Sequence, residues 1–218
     1  MTFQLLLVAG THGNEINGPC LLTQWAQKSS LLKTSGLNVI KEIGNPLALK
    51  ALKRYIDRDL NRSFLVDNFL SVSSSGDYEI NRAKQLVSEY SVDGRKPCKI
   101  AIDLHTTTSC MGSSLVVYGR RNADLALASL IQNRLGIPVY LHENDNAEKG
   151  FLVESWPCGL VLEIGPVAQS LIDINIISKY KLILEILFEE INSASHQKAR
   201  YPQELIVHLH LGSVDFPR

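Results

Sequence analysis

The chain has 218 residues, enough for one large domain with a full hydrophobic core, or one domain with an appendage. With 45% hydrophobic and 20% charged residues and no biased tract, the composition excludes a disordered or fibrous chain. Basic and acidic side chains balance at 22 each, which excludes a whole-protein field for nucleic acid or for an anionic membrane.

Residues 4–9 form a continuous apolar run that stops at Gly10, the pattern of a buried strand. Residues 15–27 then carry Ile16, Cys20 and Leu21 at helical spacing. A second strand over 37–43 is closed by Gly44-Asn45-Pro46, and 47–51 predict a short helix. The stretch 57–68 is charged and irregular, hence a loop, and 71–76 reads as a flexible serine-rich turn. Helical periodicity returns over 78–90 through Ile80, Ala83, Leu86 and Val87. Strands follow over 99–104 and 114–118, then a helix over 122–135 stopped by Gly136-Ile137-Pro138, then strands over 139–142 and 160–164. The longest helix, 171–193, lines one face with Ile176, Tyr180, Ile183, Leu187 and Ile191, and a last strand covers 205–211. This alternation predicts an α/β fold: a mixed, largely parallel sheet flanked by helices. Ligands bind beyond the carboxyl ends of the strands in such sheets. His12, His105 and Glu163 all fall at strand ends, which supports a single site.

Cys20, Cys98, Cys110 and Cys158 form no C-x-x-C and no disulfide framework, so a reducing compartment is expected. The apolar start lacks the basic flank of a signal peptide. No stretch approaches the roughly 20 apolar residues of a spanning helix. The nearest, 171–191, is broken by Asp173, Lys179, Lys181 and Glu185. The expectation is a cytoplasmic protein whose partner is a small molecule, with neither nucleic acid nor membrane as partner.

His12 and Glu15 sit three apart in Gly10-Thr11-His12-Gly13-Asn14-Glu15, on one side of a turn that opens a helix. His105 ends a distant strand. Two neutral imidazoles and one carboxylate hold Zn²⁺ and leave a fourth position for water, the arrangement of a catalytic rather than a structural zinc. Spacing alone leaves open two unrelated histidines near turns. Asp103, two residues before His105, shares its strand face and is placed to accept a hydrogen bond from a ligand. Glu163 is an acidic residue inside the apolar strand Leu160-Val161-Leu162-Glu163-Ile164; burial beside a metal suits it to general-base work, and an edge position facing water is the alternative. Arg54, Arg58 and Arg62 crowd the segment 54–62 beside Asn61, where they could clamp a carboxylate or steady an oxyanion, or merely pair with Asp57 and Asp59. His208 and His210 fit a half-exposed strand better than a metal site; His142 reads as loop surface and His196 as solvated.

Five stretches in one order, G-T-H-G-N-E, G-N-P, R-Y-I-D-R-D-L-N-R, D-L-H-T-T-T-S and L-E-I-G-P, resemble the aspartoacylase and succinylglutamate desuccinylase family, relatives of zinc carboxypeptidases. The resemblance runs from Val8 to Arg218 and implies a catalytic domain over 1–200. It implies that 201–218 begin a C-terminal β domain whose remainder is absent. The implied activity is a zinc-dependent amidohydrolase cleaving N-acyl amino acids, such as N-acetyl-L-aspartate, to a carboxylate and a free amino acid. His12, Glu15 and His105 would hold one Zn²⁺ per chain, and Glu163 would relay the proton. Arg54 would steady the oxyanion, while Asn61 and Arg62 would hold the substrate carboxylate. Succinylglutamate desuccinylase is the alternative within the family; a non-catalytic metal- or small-molecule-binding module is the alternative outside enzymes. The family's aspartate-cleaving members carry an arginine shortly before L-E-I-G-P, and here no arginine occurs between Arg134 and Arg200; Lys149 is the nearest cation, a point charge rather than a fork. Apolar surface exposed where the β domain would pack gives an expectation of homo-oligomers.

Overall fold

The computed structural model describes residues 4–65, 67, 69, 76–143 and 149–211. The serine-rich turn expected at 71–76 lies outside them except for Gly76, as does 212–218, the end of the segment expected to open a β domain. The strands are β1 (Gln4–Ala9), β2 (Asn38–Ile43), β3 (Ile100–Thr106), β4 (Ser113–Tyr118), β5 (Val139–His142), β6 (Cys158–Ile164) and β7 (Val207–Leu209). They form one sheet in the order β2-β1-β3-β6-β4-β5-β7. β2, β1, β3 and β6 run parallel, β4 lies antiparallel to β6, and β5 and β7 continue parallel to β4. The mixed, largely parallel α/β architecture expected from the sequence is the one observed. Val207–Leu209 joins this same sheet at its edge, beside β5.

The helices are α1 (Asn17–Gln27), α2 (Pro46–Ala51), α3 (Tyr78–Tyr90), α4 (Asn122–Leu135) and α5 (Ile174–Ser195). α1, α4 and α5 bury Leu21, Trp25, Leu127, Ile131, Leu187 and Phe188 with Leu5, Leu7, Ile102, Leu104, Leu160 and Leu162 on one face of the sheet. On the other face, Ile80, Ala83, Leu86 and Tyr90 of α3 are buried, with Leu86 packing in a cluster with Leu6, Val8, Ala101, Val161 and Trp156. Each leucine, isoleucine, valine or phenylalanine among them contributes roughly 1.5–3 kcal/mol on burial. Because side chains alternate along a strand, Asp103, His105 and Glu163 share the second face with Ala101 and Val161.

α5 starts at Ile174, three residues later than its apolar pattern suggests. Asp173 caps it by accepting Asn175 N–H at 2.7 Å, and the Asn17 side chain ties down Leu171 O and Asp173 N–H. Two glycines shape the turn after β1. Gly10 has φ +69°, a left-handed conformation that side chains resist. A Cβ on Gly13 would lie 2.0 Å from the backbone carbon of Ala48. Gly13→Ala is therefore expected to cost several kcal/mol and to lower the melting temperature sharply in a calorimetric scan; an unchanged melt would refute this packing.

Candidate active site

The turn between β1 and α1 places His12 and Glu15 against His105 of β3. Ligand atoms of these three residues all lie within 4.8 Å of one another, and all three side chains are buried. Glu15 Oε1 is 2.7 Å from His12 Nδ1, and Oε2 is 3.1 Å from His105 Nδ1 while accepting Thr106 N–H at 2.8 Å. The far nitrogens are held from outside the cluster. His12 Nε2 lies 3.0 Å from Asp59 Oδ1, and His105 Nε2 lies 2.8 Å from Asp103 Oδ2. Asp103 is itself fixed by the Thr11 hydroxyl at 2.8 Å, and the His105 carbonyl accepts from Tyr180 OH. A carboxylate on each Nε2–H leaves both Nδ1 atoms facing Glu15, where an ion would replace their proton, so the donor set fits Zn²⁺: two imidazoles and a carboxylate, each oriented by a second partner.

The electrostatics follow from that crowding. Burial opposes charge on both imidazoles, but Asp59 and Glu15 raise His12, and Asp103 and Glu15 hold His105 well above the ordinary histidine range. Burial would raise Glu15; the two imidazoles outweigh it and hold the carboxyl far below the usual range. Asp59 is likewise held low, against burial, by His12 and Arg54.

Glu163 of β6 is the direct cross-strand neighbour of His105. Burial pushes its carboxyl up to about 7, assisted by the negative charge of Glu15 and opposed by His105. In the metal-free protein this has a consequence for stability. The folded state holds the Glu163 proton more tightly than the unfolded chain, so the associated stability is complete below about 4.5 and is lost as pH rises through about 7. Metal-free Glu163→Gln is expected to match the parent at pH 4.5 and to exceed it by on the order of 2 kcal/mol at pH 8 in urea titrations. The difference cancels the acid-side losses from Glu15 and Asp59; equal stabilities at both pH values would contradict the burial of this carboxyl.

A cavity of about 130 Å³ opens beside the cluster. Of the residues expected from the sequence, His12, Arg54, Asn61, Arg62, His105 and Glu163 line it. Glu15 touches both imidazoles. Arg54 is about half exposed, and its Nε and Nη2 both donate to Asp59 Oδ2. Asn61 is buried and its Oδ1 accepts Leu152 N–H at 2.8 Å, which leaves its amide nitrogen as the group for a ligand. Arg62 donates to Asn61 O and stacks with its guanidinium carbon 4.3 Å above the Phe151 ring. Lys149 is exposed and does not line the cavity. A larger cavity of about 300 Å³ lies at the opposite ends of β3 and β6, among Ile100, Leu127, Leu130, Cys158 and Ile191; its apolar lining brings no imidazole or carboxylate together.

Besides Val161, three aromatic cavity residues were not expected. Tyr118, His142 and Phe151 form an aromatic wall, with the Tyr118 and Phe151 rings stacked 3.7 Å apart. His142 is thus a cavity residue and not loop surface, and His210 stacks on it at 4.2 Å. His208 is exposed against Tyr140, and His196 is exposed at the end of α5. Sequence periodicity does not reveal that β4 and β5 run against β6, which is what brings Tyr118 and His142 to this face.

The sheet and its covering helices define an aminoacylase- and desuccinylase-like α/β fold. Murine aminoacylase 3 superposes with a TM-score of 0.86 at 29% identity, covering 99% of this chain and 73% of that one. The succinylglutamate desuccinylase of Chromobacterium violaceum shares the fold with a TM-score of 0.68 at 19% identity, over 92% of this chain and 66% of that one. The family model described as the succinylglutamate desuccinylase/aspartoacylase catalytic domain matches residues 2–191, and the chain belongs to that family. A probable aspartoacylase of Prochlorococcus marinus is 60% identical over 215 residues, 99% of this chain and 70% of the relative. Another, of Parasynechococcus marenigrum, is 52% identical over 214 residues, 98% and 70% respectively. Membership supports a hydrolase acting on the amide bond of N-acyl amino acids. Among the described residues, no helix is long and apolar enough to cross a membrane.

Proposed function

We propose that this chain is a zinc-dependent amidohydrolase that splits an N-acyl amino acid into a carboxylate and a free amino acid. One observation carries the reading: His12, Glu15 and His105 bring ligand atoms within 4.8 Å of one another, directly beside Glu163. These three residues would hold the ion. Bound there, Zn²⁺ supplies a Lewis acid that polarises a carbonyl and makes water acidic near neutral pH.

The remaining chemistry belongs to the chain. Glu163 accepts the proton of the attacking water on its carboxylate and then delivers a proton to the nitrogen of the leaving amine. Its raised affinity for a proton matches both halves of that task. Arg54 is held by Asp59 through two of its nitrogens, leaving Nη1 to donate to the oxyanion. The Arg62 guanidinium, stacked on Phe151, and the Asn61 amide nitrogen bind the substrate carboxylate. Among the described residues the cavity shows no third guanidinium beyond Arg54 and Arg62, so an acidic substrate side chain has no dedicated partner there.

Side-by-side assays of N-acetylaspartate and N-succinylglutamate within a wider set of N-acyl amino acids, run with zinc-replete protein, test the reading and separate the two family activities. Release of a free amino acid is expected; no turnover of any N-acyl amino acid by folded, zinc-loaded protein would sink it. Arg62→Ala is expected to raise KM about 10- to 100-fold with little change in kcat, the loss of a charged contact made equally in ground and transition states. A fall in kcat at constant KM would contradict carboxylate binding by Arg62.

A further inference from the structure

Glu79 is fully buried in the first turn of α3 and belongs to none of the chemistry above. Its carboxylate gathers four N–H donors. Oε1 accepts from the Asn45 side chain at 2.9 Å and from Ile56 N–H at 2.7 Å; Oε2 accepts from Asp57 N–H at 3.0 Å and Arg58 N–H at 3.3 Å. Residues 51–58 are exposed, so three consecutive amides of an exposed loop are drawn onto one buried anion. In return, Asp57 accepts Tyr78 N–H from the opening of α3. Asp57, Asp77 and Glu79 cluster closely enough to suggest a cation site. Both oxygens of Glu79 and of Asp77, and Oδ2 of Asp57, already accept from these amides, from Ile80 N–H and from the Arg58 guanidinium, so the cluster is an anchor for the loop.

The anchored amides lie between Arg54 and Asp59. Asp59 fixes both the Arg54 fork and the His12 imidazole. Asn45, the fourth donor, lies in the Gly44-Asn45-Pro46 turn and caps α2 by accepting Ala48 N–H. The anchor therefore ties α3, the turn after β2 and the arginine loop to one point.

We propose that Glu79 is a positioning residue that sets Arg54 and Asp59, and through Asp59 the metal ligand His12, against the substrate cavity. Its kinetic consequence rests on the hydrolase reading; its anchoring of the loop does not. In Glu79→Gln one oxygen becomes an NH₂ group that faces two donors, so two hydrogen bonds are lost and the loop is pushed away.

The first test needs no variant. Hydrogen exchange of the parent is expected to find the amides of Ile56, Asp57 and Arg58 protected, although their residues are exposed. Exchange at the rate of unprotected loop amides would overturn the anchor whether or not the protein is a hydrolase. In Glu79→Gln those amides are expected to exchange about 10- to 100-fold faster, the equivalent of a charged hydrogen bond. Zn²⁺ affinity, read by chelator competition, and kcat are each expected to fall about 10-fold or more. A merely structural role would lower the melting temperature and leave kcat, KM and ion affinity of the folded protein unchanged, which would overturn the proposal. With Zn²⁺ held saturating, so that the route through Asp59 and His12 is silent, Glu79→Gln added to Arg54→Ala is expected to lower kcat by less than about 2-fold further, because its remaining effect runs through Arg54; full additivity under these conditions would also overturn it. Where Glu79→Gln does not fold, Glu79→Asp keeps the charge on a shorter arm, and the same coupling to Arg54→Ala is expected.

Discussion

Glu163→Gln is expected to cut kcat by about 10²- to 10⁴-fold while the bound-zinc content stays that of the parent. The substitution keeps the shape of the side chain and removes its capacity to take a proton. Glu163 stands across from His105 on the adjacent strand and lines the cavity, close enough to work on a water there, yet it is not one of the three clustered ligands. Binding of the ion and of the substrate carboxylate, which the proposed function gives to His12, Glu15 and His105 and to Asn61 and Arg62, should therefore survive. Steady-state kinetics with metal analysis on one preparation check this. A variant that loses its zinc, or one that keeps its turnover, would remove Glu163 from the role of base.

Removing the ion is expected to be at least as severe. Lewis-acid assistance is worth several kcal/mol, so chelated protein should lose about 10³-fold or more in kcat/KM, and stoichiometric Zn²⁺ should restore it. The three proposed ligands come together only in the folded chain, so removal of the ion should also lower the melting temperature. Without a cation, Glu15 is left between two imidazoles whose proton affinity it raises. His105→Ala should show both losses and resist repair by stoichiometric zinc. Full activity in chelated protein, with zinc absent by analysis, would contradict a metal-assisted mechanism.

Much of the fold was legible where one physical signal dominated. Gln4–Ala9, Tyr78–Tyr90, Asn122–Leu135 and Val139–His142 have the bounds expected from the sequence, because apolar period and stop residue agree in each. Bounds shifted where side chains compete with periodicity: α1 begins at Asn17 because Glu15 is spent on the two imidazoles, and α5 begins after Asp173 caps it. The short 3₁₀ turns at Leu60–Arg62 and Leu152–Ser155 are too brief for any period, yet one carries Asn61 and Arg62 and the other binds Asn61. At the site, a histidine three residues from a glutamate and two further strand ends were readable as candidates, and the fold brings them together. The partners that orient them were harder. Thr11 reaches Asp103 across 92 positions, and Asp59, which holds Arg54, reaches His12 across 47; Glu79 collects amides 21 to 23 residues away. Such contacts depend on strand order and loop path, which one sequence does not disclose. The aromatic wall was hidden for the same reason, since it depends on β4 running against β6.

The most direct measurement of the central claim is anomalous scattering at the zinc edge from crystals grown with one equivalent of Zn²⁺. The expected result is one peak per chain, bonded to His12 Nδ1, His105 Nδ1 and the Glu15 carboxylate, with Glu163 facing it across the cavity. A peak elsewhere, at His208 and His210 for example, or none at these three side chains in a fully loaded sample, would contradict it.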